Sequence, residues 1–174
     1  MVILIAGDTH TGKTLLAQKL LEKYKYPYLS IDHLKMGLIR SGQCKFSAES
    51  SDAELTNYLW PIVREIIKTC IENSQNMIIE GCYIPFGWDK DFALDYLKQI
   101  RYVCLIFSRK YIENNISDIM NFENVIEKRL PADLNIDELK NVNERNLNLC
   151  KLNNYNYVLI DEKYQINVDD CMFD

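Results

Sequence analysis

The chain has 174 residues and a formal net charge of -5, which suits one compact domain that buries a core without disulfides or metals. About half of its residues are apolar and about a quarter are charged, the profile of a soluble globular protein. No long basic run points to a nucleic-acid partner, no apolar run reaches the roughly 18 residues of a spanning helix, and the apolar N-terminus has no basic segment before it, so neither a membrane partner nor a signal peptide is expected.

Val2 to Ala6 is continuously apolar and predicts a strand buried on both faces. From Gly12 to Tyr24 the period changes. Leu16, Ala17, Leu20, Leu21 and Tyr24 share one stripe, which predicts a helix. Tyr28 to Ile31, after Pro27, reads as a second strand, and "DHLK" as a polar turn. Ser51 to Asn73 carries the clearest helical signal. Ser51 and Glu54 form a capping box, Leu55, Leu59, Ile62, Val63, Ile66, Ile67 and Cys70 make an apolar face, and Pro61 is expected to kink or split the helix.

"NMIIEG" at 76–81 predicts a third strand, Asp89 to Gln99 a helix, and "YVCLIF" at 102–107 a fourth strand. Residues 109–135 are polar and lack a clear period. Asn135 with Glu138 caps a helix to about Asn153, and "YVLID" at 157–161 predicts a last strand. Strands alternating with helices predict an α/β fold, a three-layer sandwich around a five-stranded parallel sheet. Residues 1–174 read as one domain without linker or repeat. The six cysteines form no C-x-x-C and have no histidine cluster beside them. That pattern is expected of reduced thiols in a cytoplasmic protein.

The chemistry is concentrated in "GDTHTGKT", Gly7 to Thr14, which fits G-x-x-x-x-G-K-[ST] and has the required strand before it and helix after it. A glycine turn alone needs neither the lysine nor the threonine. Gly7, Asp8, Thr9, His10, Thr11 and Gly12 are expected to wrap their backbone N–H groups around phosphate oxygens, at the positive end of the following helix. Lys13 is expected on the β- and γ-phosphates and the Thr14 hydroxyl on Mg²⁺. ATP with Mg²⁺ is the expected cofactor. The guanine-reading N/T-K-x-D segment of GTPases is absent from the sequence.

Three later stretches extend this into a resemblance. "SIDHLK" follows the second strand, "IIEGC" ends the third, and "NERNLNLCKLNNYNYVLID" leads through a helix into the last. With the P-loop, their order resembles the P-loop kinases of small molecules: the adenylate-kinase-like, shikimate-kinase-like, chloramphenicol-phosphotransferase-like and zeta-toxin-like groups. The resemblance implies a P-loop NTPase fold that moves the γ-phosphoryl of MgATP to a small-molecule acceptor. It implies an aspartate near the acceptor, Asp32, and an acid near Mg²⁺ or the acceptor, Glu80. It implies a phosphate-binding arginine, Arg145, and a lid over residues 109–135 whose arginine is read as Arg129. Arg109, Lys110 and Lys128 flank the same region.

Residues 32–75 form the expected acceptor-binding insertion, with Lys35 and Arg40 as possible anion grips. Where adenylate kinases place an arginine after each of these two acids, this chain has Lys35 and Ile84. A nucleoside-monophosphate kinase is therefore the alternative, and a nucleotide-binding regulator with slow hydrolysis is a further one. For individual residues the plainer readings stay open: a helix cap for Asp32, a strand-end acid for Glu80, surface cations for the rest. Asp32 and Glu80 are expected at one edge of the sheet, facing the P-loop. The protein is expected to act as a monomer or homodimer.

Overall fold

The structure, a computed structural model, describes residues 1–47, 50–121 and 135–171, with side chains through 169. The expected Arg129 and Lys128 fall outside the described residues, as does most of the expected lid.

Strand β1 (Val2–Gly7) is buried along its whole length because helices cover both faces of the sheet. Its side chains alternate accordingly. Val2, Leu4 and Ala6 join one core with Ile31, Leu59, Val63 and Ile67. Ile3 and Ile5 join the other with Leu16, Ala17 and Leu20 of α1 (Lys13–Tyr24). Strand β2 (Tyr28–Ser30) passes directly into α2 (Ile31–Arg40).

The polar turn expected at "DHLK" is therefore helix. Ile31, Leu34 and Leu38 recur at helical spacing and pack on the core, and Asp32 in the first turn favours the helix dipole. A strand that becomes a helix without a loop leaves no turn residues to read.

Helix α3 (Asp52–Glu72) has the expected capping box, with Ser51 Oγ accepting from Glu54 N–H. Pro61 lies inside it and does not split it. Residue 61 is exposed, and so is Asn57, whose carbonyl loses its helical donor at a face open to solvent. Strand β3 is Met77–Glu80. The helix expected over 89–99 is instead a 3₁₀ turn (Trp88–Asp91) and one helical turn, α4 (Leu94–Leu97). Between them Phe92 is extended, with φ -125° and ψ 140°, and its buried ring packs against Trp60 and Trp88.

Strand β4 (Ile100–Phe107), kinked helix α5 (Arg109–Asn121), helix α6 (Ile136–Asn153) and strand β5 (Tyr157–Ile160) complete the order. The side chain of Asn135 caps α6 by accepting from Glu138 N–H.

All five strands are parallel, in the order β2-β3-β1-β4-β5. Glu80 lies opposite both Ile5 and Ser30, and Gly7 lies opposite Leu105. The C-terminal ends of the strands thus come level. From β1 the chain passes to β2 and back to β3 on one side of β1, then crosses to β4 and β5 on the other, so the Gly7–Thr14 loop emerges at the crevice where such sheets receive ligands.

Candidate active site

The loop after β1 is built for close approach. Gly7 and Gly12 take positive φ, 139° and 82°. His10 also lies in the left-handed region at φ 63°, a conformation uncommon outside glycine but one that asparagine, aspartate and histidine adopt more than other residues. Its Nδ1 shares a 3.0 Å hydrogen bond with the Thr9 hydroxyl. The Thr11 hydroxyl donates to the Asp8 carbonyl at 2.8 Å, closing the loop on itself.

Lys13 is buried, 5 % exposed, and its ammonium donates to the Asp8 carbonyl at 2.7 Å. Burial draws its pKa down, but Cys82 and Glu80 more than offset this and hold it above 10.5. The side chain is a fixed cation folded against the loop that would receive phosphates. Cys82 beside it is pushed up by burial, with the Lys13 charge pulling the other way.

Glu80 ends β3 at 2 % exposure. Its only hydrogen bond among the described residues is a long one, 3.4 Å, from the Thr14 hydroxyl. A buried carboxylate so thinly satisfied fits a cation. Thr14 and Glu80 are therefore the residues present that suit Mg²⁺. No cluster of three or more metal-ligating side chains occurs among the described residues, so the phosphates and water would complete the shell, as is usual for this ion. The glycine after Glu80 makes room for protein rather than ligand: a Cβ at Gly81 would lie 2.8 Å from Ile31 Cβ. That contact seats α2 against the end of β3.

Asp32, in the first turn of α2, is on the same side. Its charge is felt at both Lys13 and Cys82, and it accepts from Lys35 Nζ at 2.7 Å. Lys35 also donates to Tyr83 Oη at 2.9 Å and lies over that ring. Both expected carboxylates are thus at the P-loop edge, but Lys35 is spent within the protein. Arg40 is exposed at the last residue of α2, about 13 Å along the helix from its start.

A cleft of about 390 Å³ opens beside the loop. Gly7 and Asp8 form one wall, Asp52, Thr56 and Asn57 of α3 a second, and Arg145 and Asn146 of α6 a third; Ile84, Phe86, Tyr102 and Cys104 line the rest. The 81–87 wall is held from behind. Tyr155 Oη accepts from Gly87 N–H at 3.0 Å, and its ring stacks on Phe86.

Asn143, one turn from Asn146, ties α6 to the loop. It accepts from Phe107 N–H at 2.8 Å and donates to Leu139 O and, at 3.4 Å, to Asp8. Burial raises the Asp8 carboxyl above 3.8, against the hydrogen bond from Thr9 N–H. Arg145 is more exposed than its place between Val142 and Leu149 implies, yet it stands at the cleft mouth without an ion pair among the described residues. Arg109 and Lys110 instead pair with Glu144 and Glu162, both at 3.2 Å.

No protein-family model and no curated protein matches the chain. Solved structures do. A deoxyadenosine kinase of M. mycoides superposes with a TM-score of 0.52 at 14% identity, covering 97% of this chain and 93% of that one. A gluconokinase of Sinorhizobium meliloti gives 0.52 at 11%, covering 98% and 86%. A Thermus thermophilus protein gives 0.54 at 14%, covering 99% and 92%. The chain has the P-loop small-molecule kinase fold.

Within this P-loop kinase fold, sequence reasoning missed several site residues. Tyr164, in the segment after β5, donates toward the Thr11 and Gly12 carbonyls at 3.3 and 3.4 Å. Asp8 was read for its backbone; the residue lines the cleft, and its carboxylate accepts from Thr9 N–H and the Asn143 amide. Asn143 and Asn146 look like two more asparagines in an asparagine-rich stretch; only their spacing on one face of α6, three apart beside Arg145, could have marked them. No helix among the described residues is long and apolar enough to cross a membrane, and Cys44, Cys70, Cys82, Cys104 and Cys150 are free thiols.

Proposed function

We propose that the protein is an MgATP-dependent phosphotransferase that moves the γ-phosphoryl group to a hydroxyl of a small-molecule acceptor. One observation carries this reading: a buried P-loop lysine and a buried, thinly satisfied Glu80 meet at the edge of the sheet where a cleft opens. The kinases among the fold neighbours support it. Mg²⁺, held by Thr14 and Glu80, would neutralise charge on the phosphates. Backbone N–H groups of Gly7 to Thr14 and the Lys13 ammonium bind and orient the nucleotide.

The acceptor lies in the cleft. Its oxygen forms a bond to the γ-phosphorus as the bond to the bridging oxygen of ADP breaks, and its proton leaves toward Asp32, which orients the hydroxyl. Arg145, and Arg129 from the 109–135 lid, bring positive charge to the transferring group. Residues 32–75 form the acceptor side of a single domain that works in the cytoplasm, as a monomer or homodimer and without nucleic acid.

The test is ADP release across a panel of hydroxylated metabolites, with ATP titrated calorimetrically into wild type and Lys13→Ala. Losing the charge-assisted contact weakens ATP by about 1.5–3 kcal/mol. Equal affinity in the two proteins, or turnover that no acceptor raises above ATP hydrolysis, removes the reading.

A further inference from the structure

Resting on that reading, we propose that the acceptor is a neutral, ring-bearing polyhydroxyl compound, of the nucleoside or cyclic-sugar kind, and that Asn146 reads one of its hydroxyls. The cleft has the size of a small-molecule site. Its charge does not suit an anion. Asp8 and Asp52 both line it against one cation, Arg145, which the transferring phosphoryl requires. Lys35 is already bound at 2.7 Å by Asp32 and at 2.9 Å by Tyr83. An acceptor carrying its own phosphate or carboxylate would meet two acids there and, among the described residues, no cation besides Arg145.

Asn146 supplies what a hydroxyl needs. It is 7 % exposed, lines the cleft, and its amide has no hydrogen-bond partner among the described residues. With no protein partner in a residue otherwise enclosed, that amide is open to the cleft and offers a ligand both a donor and an acceptor. Phe86 and Tyr102 present apolar surface to the same space, which suits the face of a ring.

The experiment pairs neutral acceptors with anionic counterparts: adenosine with AMP, cytidine with CMP, glucose with gluconate. Phosphorylated product is read by mass spectrometry at saturating MgATP. The expected result is a neutral member used with kcat/KM at least about tenfold above its counterpart. Asn146→Ala and Asn146→Asp, checked for folding by circular dichroism, should both raise the acceptor KM about tenfold while the KM for MgATP stays within about twofold. The Asp variant keeps the shape, so it serves if the Ala variant misfolds. Preference for an anionic member, or an unchanged acceptor KM in the folded variants, overturns this inference and leaves the kinase reading standing. Product from no member, with ATP binding intact, overturns both.

Discussion

Tyr164 closes over Gly12 from the far end of the chain: a Cβ on Gly12 would lie 1.8 Å from Tyr164 Oη. The residue at 12 is therefore constrained twice, by its φ of 82° and by a ring above it. Gly12→Ala should destabilise the protein by about 2 kcal/mol or more, a fall in Tm of about 4–8 °C at this size. Adding Tyr164→Ala removes the collision but not the backbone strain, so the double variant should recover only part of the loss relative to Tyr164→Ala alone. Thermal unfolding of the four proteins decides this. Full recovery would mean that the left-handed backbone costs nothing.

Glu80→Gln keeps the shape of the Thr14 contact and removes the charge. ATP affinity measured without magnesium should stay the same or rise slightly. The gain that magnesium brings to the wild type should shrink by about tenfold, the scale of one charge-assisted contact. An undiminished magnesium effect, read by calorimetry, would leave Glu80 as a strand-end acid.

Asp32→Asn tests the second carboxylate. Turnover with a working acceptor should fall about 10²-fold or more, the scale of a positioned acid–base group, with ATP affinity within about twofold. The exchange also reaches Lys35. Burial draws that amine down, and Asp32 and Tyr83 more than restore it, to about 12, so the variant's lysine should titrate lower. If turnover holds while only the lysine shifts, Asp32 serves Lys35 and the helix dipole alone.

Asp8 gives a pH dependence with a definite sign. Its pKa in the folded protein lies above 3.8, chiefly because burial disfavours the carboxylate. The native state then binds the proton more tightly than the unfolded chain does, so stability falls as pH rises from about 3.8 through the folded value. Asp8→Asn lacks this loss. Its Tm relative to wild type should climb between about pH 3 and pH 7, as followed by thermal melts in matched ionic strength. A constant or shrinking difference would contradict the burial of that carboxylate.

Much of the fold was legible because each layer repeats one physical rule. Five short apolar runs became five parallel strands, and the Ser51–Glu54 and Asn135–Glu138 pairs marked helix starts that the structure has. The failures share a cause. Asp89 to Gln99 has helical composition, but Phe92 interrupts it in extended backbone, with its ring packed on Trp60 and Trp88, a contact with distant residues that local composition does not show. At the site, the P-loop was readable since its residues are consecutive. The cleft was not, because Asp52, Asn146 and Asp8 meet only after folding, and a side chain's lack of a partner is a property of three dimensions. The pairing of Lys35, read as a possible anion grip, was hidden for the same reason: its two partners are Asp32, one helical turn away, and Tyr83, far along the chain.

The order of strands has a mechanical consequence. β1, which launches the phosphate loop, is paired on both sides, with six residues against β4 and four against β3. β2, which launches Asp32, is an edge strand paired over only three residues. Fraying begins where pairing is short and one-sided. The two halves of the site should therefore differ in stiffness, with amides of β1 among the last to exchange with deuterated water and those of β2 among the first of the sheet. On the proposed function, the nucleotide cradle would stay rigid while the acceptor side breathes, and loosening from heat or denaturant would cost acceptor recognition before it cost ATP binding.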